Sequence, residues 1–344
     1  MIRFNCDYSE GAHPRILELM QQTNLEQCPG YGEDSHCDCA RALIRKACGG
    51  APVEVHFMVG GTQTNLTVIS GLLRPHQGVI SAASGHIGVH ETGAIEATGH
   101  KVLTLPSSDG KITAAQVEAL LDEHWHDETH QHMVQPGMVY ISLPTELGTI
   151  YQKSELTALY QVCRKNHLPL YIDGARLGYG LAAAGCDFDL ADLCALCDCF
   201  YIGGTKQGAL LGEALVLCRP QLLPDFRYLM KQRGGMLAKG KLLGLQFEAL
   251  FSDGLYFQLS RHAVEMADRI AATCQKKGIP PLVVTGTNQL FYIFSDEALT
   301  ALQQKYAFSY WGRVDERHSA VRICTSWATT EDDTAALCAD LTAL

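Results

Sequence analysis

The chain has no apolar run of eighteen residues, so no stretch of it reads as a membrane-spanning helix. It also lacks a lysine- or arginine-rich run. With a formal net charge of -10, nucleic acid and anionic membrane surfaces are poor partners for it. Its opening residues, Met1-Ile2-Arg3-Phe4-Asn5-Cys6-Asp7, have no apolar core of the kind a secretory signal needs. Internal repeats, low-complexity tracts and linker-like segments are missing as well. What remains is a globular protein, expected in the cytoplasm. Its 344 residues, 47% of them hydrophobic, suffice for one large or two smaller domains.

Cysteine is not scarce, but the fourteen cysteines are scattered along a long chain, which suits reduced thiols better than a disulfide framework. Cys37 with Cys39, and Cys194 with Cys197 and Cys199, resemble half of a zinc site by spacing. No matching second pair follows, so no metal is expected. The run His124, His126, His130 and His132, amid Trp125, Asp127 and Glu128, reads as a polar surface loop.

The chemistry concentrates in two stretches. Tyr201-Ile202-Gly203-Gly204-Thr205-Lys206-Gln207-Gly208 places a lysine just past a short apolar strand, among glycines that let backbone approach a ligand. Upstream, Leu170-Tyr171-Ile172-Asp173-Gly174-Ala175-Arg176 ends a second buried-looking strand in an aspartate. Alone, Lys206 reads as a solvated loop residue and Asp173 as an N-cap or turn residue. As a pair at the carboxyl ends of two strands, they suit a cofactor that needs a Schiff-base amine and an anionic partner for a ring nitrogen. That cofactor is pyridoxal 5'-phosphate.

Around this pair the pattern alternates. Strands are expected at Val53–Val59, Gly78–Ser81, Lys101–Leu105, Met138–Ser142, Leu168–Asp173, Cys199–Gly203 and Ala214–Cys218. Helices are expected between them at Asn65–Leu73, Val89–Ala97, Thr113–Glu123 and Ser154–Asn166. This is an α/β fold with a mostly parallel seven-stranded sheet covered by helices, whose ligands bind at the strands' carboxyl ends. After the first strand, Gly60-Gly61-Thr62-Gln63-Thr64-Asn65 opens a helix, and its amides and hydroxyls make an anion site. It is neither a Walker loop nor a dinucleotide fingerprint. His86, in Ala83-Ser84-Gly85-His86-Ile87, stands at the same edge, either stacked on a ring or as a capping residue; His90 and Glu91 read as structural.

The flanks are less regular. Gly30-Tyr31-Gly32-Glu33-Asp34 is too glycine-rich for regular structure, and Tyr31 is either a turn anchor or a ligand contact. Beyond Cys218 a long apolar helical region runs to about Gln275, and a small C-terminal α+β domain has strands at Leu282–Val284, Leu290–Phe294 and Ala320–Thr325. Arg322, on the last of these, either binds a carboxylate bidentately or makes a surface ion pair. The expected division is an N-terminal arm and helices (1–50), a large cofactor-binding α/β domain (51–240), and a connecting helix with the small domain (241–344).

Taken together, these residues resemble the threonine aldolase branch of the fold-type-I pyridoxal-phosphate enzymes, the β-eliminating lyases. Landmarks run nearly the whole chain: Tyr31-Gly32-Glu33-Asp34, Gly60-Gly61-Thr62-Gln63-Thr64-Asn65, Gly85-His86-Ile87, Ile172-Asp173-Gly174-Ala175-Arg176, Thr205-Lys206, Gly234-Gly235-Met236 and Val321-Arg322-Ile323. The resemblance implies cleavage of L-threonine or L-allo-threonine to glycine and acetaldehyde; the alternatives are β-elimination, racemisation, transamination, or a non-catalytic protein on the same fold. It further implies that Lys206, beside Thr205, carries the cofactor, Asp173 pairs with the ring nitrogen and His86 stacks on the ring. Gly61, Thr62 and Gln63 would hold the phosphate, and Arg176 and Arg322 the substrate carboxylate, with Asn5 nearby. Tyr31, with Lys231 or Arg233, would reach a neighbouring subunit's site in a homodimer or homotetramer. Two departures stand out. Asn5-Cys6-Asp7-Tyr8 replaces the family's Arg-Ser-Asp-Thr, and Leu143-Pro144-Thr145-Glu146-Leu147 replaces its Asn-Thr-His segment, putting Glu146 where a histidine would face the β-hydroxyl.

Overall fold

The computed structural model describes residues 1–344. Seven strands form the central sheet: β1 (Glu54–Met58), β2 (Gln77–Ala82), β3 (Val102–Leu105), β4 (Gln135–Ser142), β5 (Leu170–Asp173), β6 (Cys199–Gly203) and β7 (Glu213–Leu217). Their order is β1-β7-β6-β5-β4-β2-β3. All neighbouring pairs are parallel except those of β7, which runs antiparallel to both β6 and β1.

Every residue of β5, β6 and β7 is buried, because helices cover both faces. Successive side chains point to opposite faces and so enter different cores. Ile172, Phe200, Ile202 and Val216 join the larger one, while Tyr171, Cys199, Tyr201 and Leu215 join a second one beneath the helix Gly61–Leu72 and Phe226.

A small antiparallel sheet follows, made of β8 (Pro281–Val283), β9 (Gln289–Ser295), β10 (Ser309–Arg313) and β11 (His318–Cys324), in the order β10-β11-β9-β8. Its own core includes Leu290, Phe294, Val321, Ile323 and Phe4. The N-terminal arm is tied to it: the Phe4 N–H donates to Ala307 at 2.9 Å, and its carbonyl accepts from Cys324 at 2.8 Å. That tether carries Asn5 and Asp7 toward the end of the large sheet.

Four expectations need correction. The helix expected over Val89–Ala97 stops at Val89, because Thr92 (φ 54°) and Gly93 (φ 73°) are left-handed and break the ladder. The long C-terminal helical region is three helices, Phe226–Gln232, Lys241–Phe251 and Leu255–Lys277, interrupted by left-handed Gly234, Asp253 and Gly254. Strand β10 went unread, since its register shifts between Tyr310 and Gly312 and the period-2 signal is lost. His124 and His126 end the helix Ala114–His126, and His124 is buried rather than on a loop.

Candidate active site

The parallel strands all end on one side, and β7, being antiparallel, begins there. A cavity of about 280 Å³ opens at this edge, near the lower bound for small-molecule sites. Gly60, Gly61 and Thr62 reach it from the end of β1, His86 from β2, and Ser142 and Glu146 from β4. Asp173 and Arg176 come from β5, Tyr201 and Lys206 from β6, and Glu213 from the start of β7. Residues far apart in sequence meet because the crossovers return every strand in the same direction.

Asp173 is the most heavily bonded group. Its Oδ1 accepts from the Tyr201 hydroxyl at 2.5 Å and the Ala175 N–H at 3.0 Å. Its Oδ2 accepts from the Tyr140 hydroxyl at 2.7 Å and from Asn65 at 2.9 Å. Burial alone would raise its pKa, but the facing His86 and these donors outweigh it and hold the carboxyl below the usual range.

His86 is set by its neighbours. Glu91 Oε1 lies 2.7 Å from its Nδ1, and Asn65 donates to the same oxygen at 2.7 Å. Burial disfavours the charged ring, yet Glu91 and Asp173 prevail and its pKa is raised. Glu91 therefore orients the imidazole, a role its sequence position did not suggest.

Glu146 Oε1 accepts the His86 backbone N–H at 2.8 Å and the Ser142 hydroxyl at 2.5 Å. Burial raises its pKa against those bonds, so it is a weak acid facing the cavity. Burial, then the charge of Arg176, push the Lys206 ammonium below its ordinary range, opposed by Asp7, Asp173 and Glu213. A lysine so placed is closer to a nucleophilic amine than one in water.

The helix Gly61–Leu72 starts from Gly60 with no capping side chain, leaving first-turn amides for an anion. A Cβ on Gly60 would meet nothing within 4 Å, so the space beside it is open.

Other expected residues are placed differently. Arg176 lines the cavity, but its Nε and one terminal nitrogen already grip the buried Asp7 carboxylate at 2.7 and 3.0 Å. Gln63 is not in the lining; it ties Val59 N–H to the Arg233 carbonyl, each at 3.0 Å. Arg322 lies outside the lining too, bonded to Gln289 at 3.2 Å and to the Asn5 carbonyl at 3.1 Å. Its Nε and the Asn5 Oδ1 are buried without partners. Tyr31 is 45% exposed and outside the cavity lining, with Lys231 4.6 Å from its ring centre. The Thr205 hydroxyl donates to Glu213 at 3.1 Å.

Asp7, Asn65, Glu91, Tyr140, Tyr201 and Glu213 escaped the sequence reading. One signal was there to be read: Tyr140, Tyr171 and Tyr201 each stand two residues before the end of a strand, polar hydroxyls inside apolar runs.

The profile described as beta-eliminating lyase matches residues 7–297. The chain belongs to the β-eliminating lyase family. It is 30% identical to the low specificity L-threonine aldolase of Pseudomonas sp. (strain NCIMB 10558), covering 99% of this chain and 97% of that one. The solved threonine aldolase of Leishmania major shares 44% identity and superposes with a TM-score of 0.97, covering 100% and 99% of the two chains. An aspartate aminotransferase mutant from Thermus thermophilus, at 13% identity and TM-score 0.72 over 100% of this chain and 91% of that one, shares the fold alone. The architecture is fold type I.

Proposed function

We propose that this protein cleaves β-hydroxy-α-amino acids, L-threonine and L-allo-threonine among them, into glycine and an aldehyde, using pyridoxal 5'-phosphate. The observation that carries this reading is the cavity in which Lys206, ionised Asp173, His86 and a weakly acidic Glu146 converge beside an uncapped helix N-terminus. Likeness to proteins named threonine aldolase favours cleavage over other reactions that would use the same lysine and aspartate.

The donor set fits the cofactor. Lys206 would hold it as a Schiff base, the amides around Gly61, Thr62 and Gln63 its phosphate, and Asp173 a proton on its ring nitrogen. When bound, the group supplies a ring that accepts the electron pair left on Cα. His86, steadied by Glu91, flanks the site, and Glu146 takes the β-hydroxyl proton as the Cα–Cβ bond breaks. Arg322, whose buried Nε has no partner, takes the substrate carboxylate with Asn5 beside it, while Arg176, already bonded to Asp7, holds the cavity wall.

Tyr31 and Lys231, exposed and outside this cavity's lining, serve a second copy's site in a homodimer or homotetramer. No helix is long and apolar enough to cross a membrane; the cytoplasm is the compartment this reading assigns. The test is an absorbance spectrum with an aldehyde-coupled assay on both threonines, set against Lys206→Ala. A visible Schiff-base band lost in the variant, with glycine and aldehyde released in equal amounts, supports the reading. A coloured protein releasing no aldehyde would overturn the cleavage assignment.

A further inference from the structure

Ser142 closes β4, and in the ladder it pairs with Asp173, the last residue of β5. The two side chains therefore share one face of the sheet, at the edge where the cavity opens. Tyr140, two residues earlier on β4, points the same way. Its hydroxyl donates to Asp173 Oδ2 at 2.7 Å and lies 3.2 Å from Ser142 Oγ.

The serine hydroxyl has one proton and two acceptors in reach. Glu146 Oε1 is 2.5 Å away and the Tyr140 oxygen 3.2 Å. A short bond to a carboxylate is roughly twice as strong as a neutral one, so the proton goes to Glu146. The His86 backbone N–H donates to the same oxygen at 2.8 Å, and the two bonds hold Oε1 from two different strand ends. Oε2 accepts from no other residue and is not enclosed, so it opens on the cavity that Glu146 lines. The backbone behind it is tied down. The Thr145 N–H donates to the Thr149 carbonyl and the Gly148 N–H to the Thr145 carbonyl, each at 2.9 Å, and the Thr287 hydroxyl of the small domain donates to the Gly148 carbonyl at 2.9 Å. With the loop held, the bonds to Oε1 settle where the carboxylate points.

We propose that Ser142 is a positioning residue for Glu146: with the His86 amide it holds Oε1, which turns Oε2 toward the substrate's β-hydroxyl. The inference rests on the reading of Glu146 as the base. In that step the substrate's O–H bond breaks and an O–H bond forms on Oε2. The oxygen's electron pair becomes the second bond of the aldehyde carbonyl, and the Cα–Cβ pair is left on Cα. Ser142 itself neither gains nor loses a proton.

The same bond sets the acid strength. Burial raises the Glu146 carboxyl and the charge of Asp173 adds to the rise, while the Ser142 hydroxyl, its own amide and the His86 amide oppose it. Tyr140 and Tyr151 also face it, neutral and held above their ordinary range, and the His86 ring, Lys206, Arg176 and Glu213 share the cavity wall. A donor bound to the charged form lowers a carboxyl's pKa. Losing Ser142 therefore raises it, and the base becomes protonated at a higher pH.

The test uses the cofactor-loaded full chain, with kcat and KM for L-threonine followed by aldehyde release across the pH range in which the carboxyl titrates. In Ser142→Ala the acid limb of kcat should move up by about one pH unit, so that kcat on that limb falls about tenfold and recovers toward the natural value at high pH. KM should change less than about threefold. Ser142→Thr, which keeps the hydroxyl, should stay near the natural profile. A second readout needs no turnover: the carboxyl infrared band lost in Glu146→Gln marks Glu146, and its titration midpoint should move up in Ser142→Ala. A well-folded Ser142→Ala protein with an unchanged limb and an unchanged midpoint overturns the proposal. So does a Ser142→Thr protein that loses as much as Ser142→Ala. A moved midpoint in a protein whose Glu146→Gln variant keeps full activity would instead remove Glu146 as the base and leave its coupling to Ser142 standing.

Discussion

Asn65 offers a sharp test of the buried polar network. Its Nδ2 donates to Glu91 at 2.7 Å and Asp173 at 2.9 Å, and its Oδ1 accepts from the Tyr171 hydroxyl at 2.8 Å. Asn65→Ala removes these bonds and strands one buried hydroxyl, at a cost of about 2–4 kcal/mol. Asn65→Asp instead places a third carboxyl against two carboxylates. At an effective dielectric of about 20, each contact costs roughly 6 kcal/mol if the new group ionises. It escapes by taking up a proton, which costs about 5.6 kcal/mol at pH 8 but only about 1.5 kcal/mol at pH 5, from an unfolded pKa of about 3.9.

The folded pKa of residue 65 is thus raised, the native state binds the extra proton, and stability falls as pH rises. Asn65→Asp should be less stable than Asn65→Ala at pH 8, by a margin that shrinks by about 4 kcal/mol at pH 5. Thermal unfolding of both variants at pH 5, 6.5 and 8, in one cofactor state, measures that margin. Titrations common to the two variants cancel in the difference. An equal margin at pH 5 and pH 8 would refute the network as described.

Glu91→Gln removes the anion that raises the pKa of His86. A raised histidine pKa stabilises fully below the unfolded value of about 6.5 and fades as pH rises through the folded value, so the loss should be larger at pH 6 than at pH 9 in paired thermal melts. Glu146→Gln keeps the shape but cannot take a proton; kcat should fall tenfold or more while KM changes less. In Gly174→Ala the new Cβ would lie 1.9 Å from the Tyr201 carbonyl oxygen, a backbone atom that cannot swing away. That should cost more than about 4 kcal/mol and show as lost soluble yield; a normal melt would contradict the packing of β5 against β6.

Local chemistry was legible wherever a side chain's neighbours are its sequence neighbours. The apolar runs of β5 and β6 end at Asp173 and before Lys206, and the glycines after β1 mark a cradle, because these signals are written in consecutive residues. The alternation of strands and helices likewise told the fold class, since period and punctuation are local. Three things were decided only by the tertiary structure. The antiparallel course of β7 turns Glu213, an unremarkable residue in sequence, into a wall of the site. The arm tied down at Phe4 brings Asp7 onto Arg176, filling a guanidinium expected to be free for substrate. Asn65, Tyr140 and Tyr201 converge on Asp173 from other elements, and their donors keep its charge in place despite burial. Direction, register and long-range bonding are set by how the whole chain packs, and a carboxylate's protonation depends on those distant partners more than on the residues beside it in sequence.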